Sequence, residues 1–97
     1  MENIEMHNGE QGVSFFSLHV NEKEVGRMVV NTSSNLLEAG YTSIGLDQRK
    51  KGYGEKLVNA VADYARENNL KIKPTCGFVA MMFKKYPERY ADVQAER

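Results

Sequence analysis

The chain has 97 residues, of which 41% are hydrophobic, and its 13 basic residues balance its 13 acidic ones. This size predicts a single domain over residues 1–97 with one modest core, and the zero net charge argues against a nucleic acid as the main partner. The sequence shows no apolar run of the roughly 20 residues that a membrane span requires, no signal peptide and only one cysteine, so a cytoplasmic protein without an intrachain disulfide is expected.

The first part of the chain is predicted to form strands after a loose start. Residues 1–12 are polar and contain two glycines, so they are expected to be a flexible, partly disordered lead-in. In residues 16–20 apolar and polar residues alternate, which is the period of a half-buried strand. Residues 25–31 follow a polar turn and are predicted to pair with that strand as a hairpin.

Two further strands are predicted before the middle of the chain. Residues 36–39 form a weak third strand that is broken at Gly40. Residues 41–46 form the fourth strand, and its alternation places on one face Thr42, Ile44 and Leu46. Gly45 lies within this strand, where a glycine often marks a β-bulge or a close approach of the backbone to another group.

A basic loop with two glycines follows the fourth strand and leads into a helix. It contains Arg49, Lys50, Lys51, Gly52 and Gly54 in the spacing Arg-x-x-Gly-x-Gly. The first N–H groups of a helix lack intrahelical partners and carry the positive end of its dipole, so they can bind a phosphate that glycines allow to approach closely. The loop is therefore predicted to bind a ligand with several phosphates. The alternatives are a helix start without a ligand and, for the lysines, a solvated charge run.

The helix after the loop has clearly separated polar and apolar faces. Its apolar face is predicted to contain Leu57, Val58, Val61, Ala62, Tyr64 and Ala65. The helix is predicted to end at residues 68–69, two asparagines that tolerate the left-handed conformation. A nucleoside-triphosphate loop is excluded because Glu55 follows the last glycine in place of a lysine, and a dinucleotide loop is excluded because its third glycine is missing.

The strand, loop and helix together resemble the coenzyme A pyrophosphate loop of the GNAT superfamily of N-acetyltransferases, whose signature is Gln or Arg, two residues, Gly, one residue, then Gly or Ala. A short strand at residues 71–73, a Pro-x-Cys at residues 74–76 and a Pro-Glu tail at residues 86–90 follow. This order is similar to a small single-domain GNAT-like branch over residues 15–92. The resemblance implies an α+β fold with a central, mostly antiparallel sheet, the order β-β-β-β-α-β-α, and a main helix packed on the sheet.

The same resemblance implies acetyl-CoA (coenzyme A) as cofactor and implies which residues contact it. The pyrophosphate would be bound by Arg49, Lys50, Lys51, Gly52, Tyr53 and Gly54. The acyl site would be lined by the backbone of Ile44, Gly45 and Leu46, with an ordinary packing or bulge glycine at residue 45 as the alternative. Phe83 would line the pantetheine channel, at the position where larger members carry a proton-donating tyrosine, and Tyr86 is the alternative donor.

Cys76 is the candidate catalytic residue. If Thr75 caps the second helix, Cys76 lies in its first turn, where the helix dipole lowers the pKa of a thiol. A thiolate beside the thioester would accept the acetyl group and pass it on; the alternative is a buried cysteine that only packs. A hydrolase pair of Cys76 with His19 stays open. The two histidines and one cysteine show no metal-binding spacing, so no metal site is expected.

These observations lead to two main hypotheses. The first is an N-acetyltransferase that transfers an acetyl group from acetyl-CoA to an amine, directly or through Cys76. The second is an acetyl-CoA or CoA-binding module without efficient transfer, and a small interaction domain with an empty loop is a third. Because no helix is predicted before residue 52, where larger GNAT enzymes have helices that help to enclose the acceptor, either the acceptor is a protein or another bulky amine or a partner completes the site.

Overall fold

The computed structural model describes residues 2–45 and 52–95. In chain order its elements are strands β1 (Glu2–Asn8), β2 (Val13–Val20), β3 (Lys23–Ser33) and β4 (Leu36–Ile44), helix α1 (Tyr53–Glu67), strand β5 (Lys71–Lys73), and helices α2 (Gly77–Lys85) and α3 (Pro87–Tyr90). The fold is α+β, and the predicted order of strands and helices is confirmed, with the short helix α3 added at the end. None of the described helices is long and apolar enough to cross a membrane.

The five strands form one sheet in the order β1-β2-β3-β4-β5. The first four are antiparallel neighbours, whereas β5 runs parallel to β4 because α1 carries the chain back across the sheet. The predicted, mostly antiparallel sheet is therefore confirmed. Beyond β5 the segment that follows α3 continues the sheet, since Ile72 N–H donates to the Val93 carbonyl at 2.6 Å and Ala95 N–H donates to the Ile72 carbonyl at 2.9 Å.

Helix α1 covers one face of the sheet with the apolar side that its sequence predicts. The buried residues of this helix are Tyr53, Leu57, Val58, Val61, Ala62 and Ala65, and Tyr64 packs against them while partly buried. The helix ends at Asn68, and Asn69 has the left-handed φ of 56° that was expected of an asparagine here. Burial of this stripe on the sheet holds the first turn of α1 in a defined place.

The N-terminus differs from the sequence expectation. Residues 1–12 were expected to be a flexible lead-in, but Glu2–Asn8 forms strand β1, which pairs with β2 along its whole length. Ile4 and Met6 pack against the core from this strand. This strand was not predicted because its alternating pattern has only two apolar residues, Ile4 and Met6, among polar neighbours.

Strand β4 also differs from the prediction. The third and fourth predicted strands are a single strand, and Gly40 does not break it. Instead, Ala39 pairs with Val30 and Tyr41 pairs with Val29, so that Gly40 has no opposite residue on β3 and forms a β-bulge. Four strands still precede α1, as expected. The two predicted strands that merge into β4 reduce the number by one, and the unpredicted strand β1 adds one.

The bulge changes which residues of β4 face α1. Before it, Leu37 and Ala39 are fully buried. After it, Thr42 and Ile44 lie on the side of α1 and α2, as predicted for one face, while Tyr41 is 60% exposed on the other side. Because the side-chain period of a strand is two, one extra residue is enough to exchange the faces.

Candidate functional site

The sheet opens where β4 and β5 part. Their parallel pairing covers only the pairs from Leu36 with Lys71 to Glu38 with Lys73, after which β5 ends and β4 continues to Ile44. The carbonyl of Ala39 then accepts hydrogen bonds from the segment that follows β5. The second half of β4 is therefore free of a strand neighbour on this side among the described residues.

A cleft of about 420 Å³ lies beside this free half of β4, between the start of α1 and helix α2. It is lined by Thr42, Ile44, Gly52, Tyr53, Gly54, Glu55, Phe78, Met81, Met82, Lys85 and Tyr86. Its walls on β4 and α2 are mostly apolar, whereas backbone N–H groups and charged side chains lie near the start of α1. Such a cavity suits a ligand with an apolar arm and an anionic end.

Both glycines of the loop motif are required by the local geometry. Gly52 is the N-cap residue of α1 and has the left-handed angles φ 78° and ψ 11°, which strain any residue with a Cβ. Among the described residues no side chain caps this helix start, which leaves its first N–H groups available to a ligand. Gly54 faces α2, and a Cβ there would lie 2.7 Å from the ring of Phe78. The absence of a side chain thus lets α2 lie directly against the first turn of α1.

Cys76 lies next to the cleft through its contact with Thr42. Its Sγ is 3.4 Å from Thr42 Oγ1. Burial raises the pKa of the Cys76 thiol, whereas hydrogen bonds with the Thr42 side chain and with the backbone of Val79, Phe78 and Thr42 lower it. The hydrogen bonds outweigh the burial, and the pKa lies below its usual value. This is the environment of a thiol with increased thiolate character.

The capping of α2 differs from the sequence expectation. Thr75 was expected to cap the helix, but Cys76 itself is the N-cap residue, with φ −80° and ψ 130°. The hydroxyl of Thr75 instead donates to the Ala39 carbonyl at 3.0 Å, and Cys76 N–H donates to the same carbonyl at 2.8 Å. Because β5 has already ended, the Ala39 carbonyl accepts hydrogen bonds from the segment between β5 and α2. The hydroxyl of Thr75 is used in this contact and does not cap α2.

Comparison with known proteins decides the family. The sequence profile of the GCN5-related N-acetyl-transferase family matches residues 15–93. The chain belongs to this family. No match is found among curated proteins.

Solved structures have the same fold as this GCN5-related N-acetyltransferase family member. A GCN5-like protein from Staphylococcus aureus is 28% identical, with a TM-score of 0.71 over 96% of this chain and 89% of that one. The ribosomal-protein-alanine N-acetyltransferase from Brucella melitensis is 11% identical, with a TM-score of 0.70 over 100% and 93% of the two chains. A GNAT family acetyltransferase from Elizabethkingia anophelis, with acetyl-CoA bound, is 13% identical, with a TM-score of 0.69 over 88% and 74%.

The structure of this GNAT family member brings part of the predicted site together. Ile44, Gly52, Tyr53 and Gly54 all line the cleft. Their roles in binding stay predictions, since lining a cavity is not evidence of a bound ligand. Four other predicted residues lie outside the described part of the chain, and these are Leu46, Arg49, Lys50 and Lys51.

Two predicted residues lie away from the cleft. Gly45 follows the end of β4, donates its N–H to the Val25 carbonyl at 3.0 Å and borders a depression on the opposite face with Tyr41. It is not the bulge of this strand, which is at Gly40. Phe83 is only 2% exposed and stacks on Tyr90 at 4.9 Å, so it packs in the core. Helical periodicity directs Phe83 away from the cleft-facing side of α2.

Other groups of the site were not singled out in the sequence. Glu55 lines the cleft, and its Oε2 accepts a hydrogen bond from Arg89 at 2.9 Å. The guanidinium of Arg89 also lies 4.2 Å above the ring of Tyr86, the predicted alternative proton donor. A salt bridge between α1 and the last helix cannot be recognised from sequence spacing, because it depends on how the two helices pack.

The proposed Cys-His pair is not formed. Cys76 contacts Thr42 on β4, whereas His19 lies on β2 with its Nε2 2.9 Å from Ser17 Oγ. Strand β3 separates β2 from β4, which places them about 10 Å apart. His19 instead joins Glu5 and His7 in a group that the sequence reasoning missed, here named the histidine cluster. Two of its members lie on β1, where a flexible lead-in is predicted from the sequence, so the cluster has no signal in the sequence alone.

Proposed function

We propose that the protein binds acetyl-CoA in the cleft and transfers its acetyl group to an amine. The observation that carries this proposal is the position of the cleft, which extends from the uncapped start of α1 to the free half of β4 beside Cys76. Acetyl-CoA also has two different ends, since one end carries phosphates and the other carries the thioester. Membership of the N-acetyltransferase family supports this choice of ligand.

The start of α1 would hold the pyrophosphate. The backbone N–H groups of Gly52, Tyr53 and Gly54 belong to the first turn of α1, and the dipole of the helix adds positive potential there. The basic residues 49–51 directly precede this turn in the sequence and would add further positive charge. The lack of a side chain at Gly54 keeps α2 close, so the turn is supported on its far side.

The apolar walls of the cleft would hold the pantetheine arm. Ile44 lies on one wall, and Phe78, Met81 and Met82 of α2 lie on the other. Met81 is 47% exposed and lines the cleft, so a bound arm would cover part of its side chain. In the relative from Elizabethkingia anophelis, acetyl-CoA is bound within the same fold.

Acetyl-CoA supplies an acetyl group activated as a thioester. In the direct route the cleft holds this group near the acceptor amine, whose nitrogen attacks the carbonyl carbon while the CoA thiolate leaves and the amine loses a proton. In the second route the Cys76 thiolate attacks first and becomes acetylated as the CoA thiolate leaves. The amine then displaces the Cys76 thiolate. The lowered pKa of Cys76 is compatible with the second route.

The acceptor is proposed to be a protein or another bulky amine. The described residues before α1 form strands only, so no helix among them encloses the space beside the free half of β4. A small acceptor would need a partner to complete the site.

A specific observation favours a second candidate, a CoA-binding module with little transfer. Glu55 is the only carboxylate among the described residues of the cleft, and its Oε2 already accepts a hydrogen bond from Arg89. A general base in the cleft would have to be free to accept the amine proton. A broad amine panel with purified protein distinguishes the two candidates, because only an enzyme gives turnover.

The experiment that tests the route is mass spectrometry of the intact protein after incubation with acetyl-CoA alone. The second route predicts the addition of one acetyl group, absent in Cys76→Ala and retained in Thr75→Ala. An unmodified wild-type protein that still acetylates amines would establish the direct route. An unmodified protein without any turnover or binding would contradict the proposed function.

A further inference from the structure

The histidine cluster lies on the sheet face that α1 does not cover. Glu5 and His7 alternate along β1 with Ile4 and Met6, which pack into the core, so the two polar residues point to the other side. His19 of β2 reaches the same place. The ligand atoms of the three side chains, one carboxylate oxygen and two imidazole nitrogens, all lie within 4.8 Å of one another.

The pairing of β1 with β2 produces this convergence. Glu5 lies opposite Ser17, and the neighbouring same-face position on β2 holds His19, while His7 is the next same-face residue on β1. The ring of His7 stacks on Phe15 with centroids 4.5 Å apart, which restricts its rotation. Three side chains from two rigid strands are thus held toward one point before any ligand binds.

The distances are close to those of a metal site. His7 Nε2 is 3.5 Å and His19 Nε2 is 3.9 Å from the same oxygen of Glu5. Tetrahedral ligands of zinc, at about 2.0–2.2 Å from the ion, are separated by about 3.3–3.5 Å. Because separations within the group extend to at most 4.8 Å, the side chains would move closer by up to about 1 Å to ligate one ion.

Ser17 lies beneath the cluster and links both imidazoles. Its hydroxyl is fully buried and lies 3.1 Å from His7 Nε2 and 2.9 Å from His19 Nε2. One hydroxyl has one proton, so it can donate to only one of the two rings, and the other ring must itself donate to the hydroxyl oxygen. Both contacts are made by Nε2, the atom that would also ligate the metal, so a bound ion would replace these hydrogen bonds and leave the Ser17 hydroxyl beside it.

We infer that Glu5, His7 and His19 form a site for a divalent transition metal of the zinc class, with the fourth position open. Two imidazoles and one carboxylate are the donor set that such ions prefer, whereas calcium and magnesium prefer oxygen ligands only. This inference is independent of acetyl-CoA binding, because the cluster lies on β1 and β2 and the cleft lies between β4, α1 and α2.

The charges around the cluster favour a cation. The adjoining depression is bordered by Glu2, Glu5 and Glu22, and the Glu2 carboxylate is paired with the ammonium group of Lys56. Arg27 lies on the face of the cluster, and its Nε and Nη2 donate to the two carboxylate oxygens of Glu24 at 3.0 and 3.1 Å. This bidentate pair offsets the charge of the guanidinium and reduces its repulsion of a metal ion.

A bound metal would attach the edge strand to the rest of the sheet. Among the described strands β1 pairs with β2 alone, and edge strands are the parts of a sheet that open most easily. Two ligands on β1 and one on β2 would cross-link the pair. Zinc should therefore raise the melting temperature and slow the amide exchange of β1 more than that of β4.

The test is calorimetric titration of the tag-free protein with zinc chloride, with cobalt(II) as an optical probe of the ligand geometry. We expect one zinc ion per chain in the wild type, and at least a tenfold weaker affinity in His7→Gln and in His19→Gln. Glu10→Gln, a change of an exposed carboxylate outside the cluster, is the matched control and should bind like the wild type. Cys76→Ser should do so as well, because the thiol is not part of the site.

Two results would overturn the inference. One is the absence of binding at millimolar zinc, and the other is binding that both histidine variants retain while Cys76→Ser loses it. Amide spectra of the metal-free variants establish that they are folded. If a variant is unfolded, the zinc-induced shifts of the wild-type His7 and His19 ring nitrogens decide instead: shifts in both rings support the site, and unchanged rings refute it.

Discussion

The cleft beside β4 and the histidine cluster on β1 and β2 are built from the sequence in opposite ways. The start of α1 supplies the cleft with Gly52 and Gly54, which are neighbours in the chain and are placed by one local turn. The cluster combines His7 and His19, which meet only because two strands pair in one register. A local motif can be recognised in a sequence, whereas a site made by strand pairing appears only when the pairing is known.

The largest effect on the cleft is expected when the register of β4 is altered. Insertion of one alanine between Thr42 and Ser43 shifts the rest of β4 by one residue, so the faces after it are exchanged and Ser43 replaces Ile44 opposite Gly26, on the side of α1. We expect a loss of about 2–3 kcal/mol in the free energy of unfolding, since Ile44 loses most of its burial. Acetyl-CoA binding should be lost as well. Denaturant unfolding and a ligand titration measure the two effects.

The control for this insertion is Gly40→Ala, which adds one methyl group to β4 and keeps its register. A Cβ at this position would be 3.9 Å from Thr75 Oγ1, an ordinary contact, and the bulge is retained. Its free energy of unfolding should stay within about 1 kcal/mol of the wild type. Equal stability and equal binding for the insertion and the alanine variant would show that the register of β4 does not place the cleft residues.

A smaller effect is expected when only the contact between α1 and α2 is disturbed. In Gly54→Val the new Cβ would lie 2.7 Å from the Phe78 ring, so α2 must move away from the helix start. We expect the affinity for acetyl-CoA to fall by at least about thirtyfold, which corresponds to about 2 kcal/mol. Isothermal titration measures the affinity, and Gly77→Ala is the control because, in the described part of the chain, no atom beyond its chain neighbours and its own helix backbone lies within 4 Å of the added Cβ. Unchanged affinity in Gly54→Val would refute this role.

The smallest effect concerns the reactivity of Cys76. Thr42→Val keeps the shape of the side chain but removes the hydroxyl that lowers the pKa of the thiol, so that pKa should rise. At a pH below the pKa, a higher pKa means a smaller thiolate fraction. Alkylation of Cys76 by iodoacetamide at neutral pH should therefore slow roughly two- to tenfold, which corresponds to the net free energy of one hydrogen bond. Thr42→Ser should restore the rate. A pH profile of Thr42→Val that overlays the wild type would contradict the assigned cause.

How far the sequence predicts this molecule depends on the range of the interactions. The apolar face of α1, its end at residues 68–69 and the positions of Gly52 and Gly54 at its start follow from local patterns and were predicted correctly. A bulge or a close backbone approach was expected at Gly45, which follows the end of β4, whereas the bulge lies at Gly40, because only the pairing with β3 shows which residue is unpaired.

The remaining differences have similar physical causes. Strand β1 is stabilised by β2 and by the burial of Ile4 and Met6, not by a strong pattern of its own. Phe83 was expected in the channel, but an apolar helix offers several faces, and packing on Tyr90 selects the core for this residue. The histidine cluster depends on the presence of β1 and on its register with β2, so local sequence patterns could not predict it.

The central claim, that the cleft binds acetyl-CoA, is tested most directly by an amide-resolved NMR titration with this ligand. The account predicts saturable shifts at Thr42 and Ile44, at residues 52–55 and at residues 76–82, with unchanged signals for His7 and His19. Unchanged cleft signals at millimolar ligand would contradict the account, and so would shifts confined to β1 and β2.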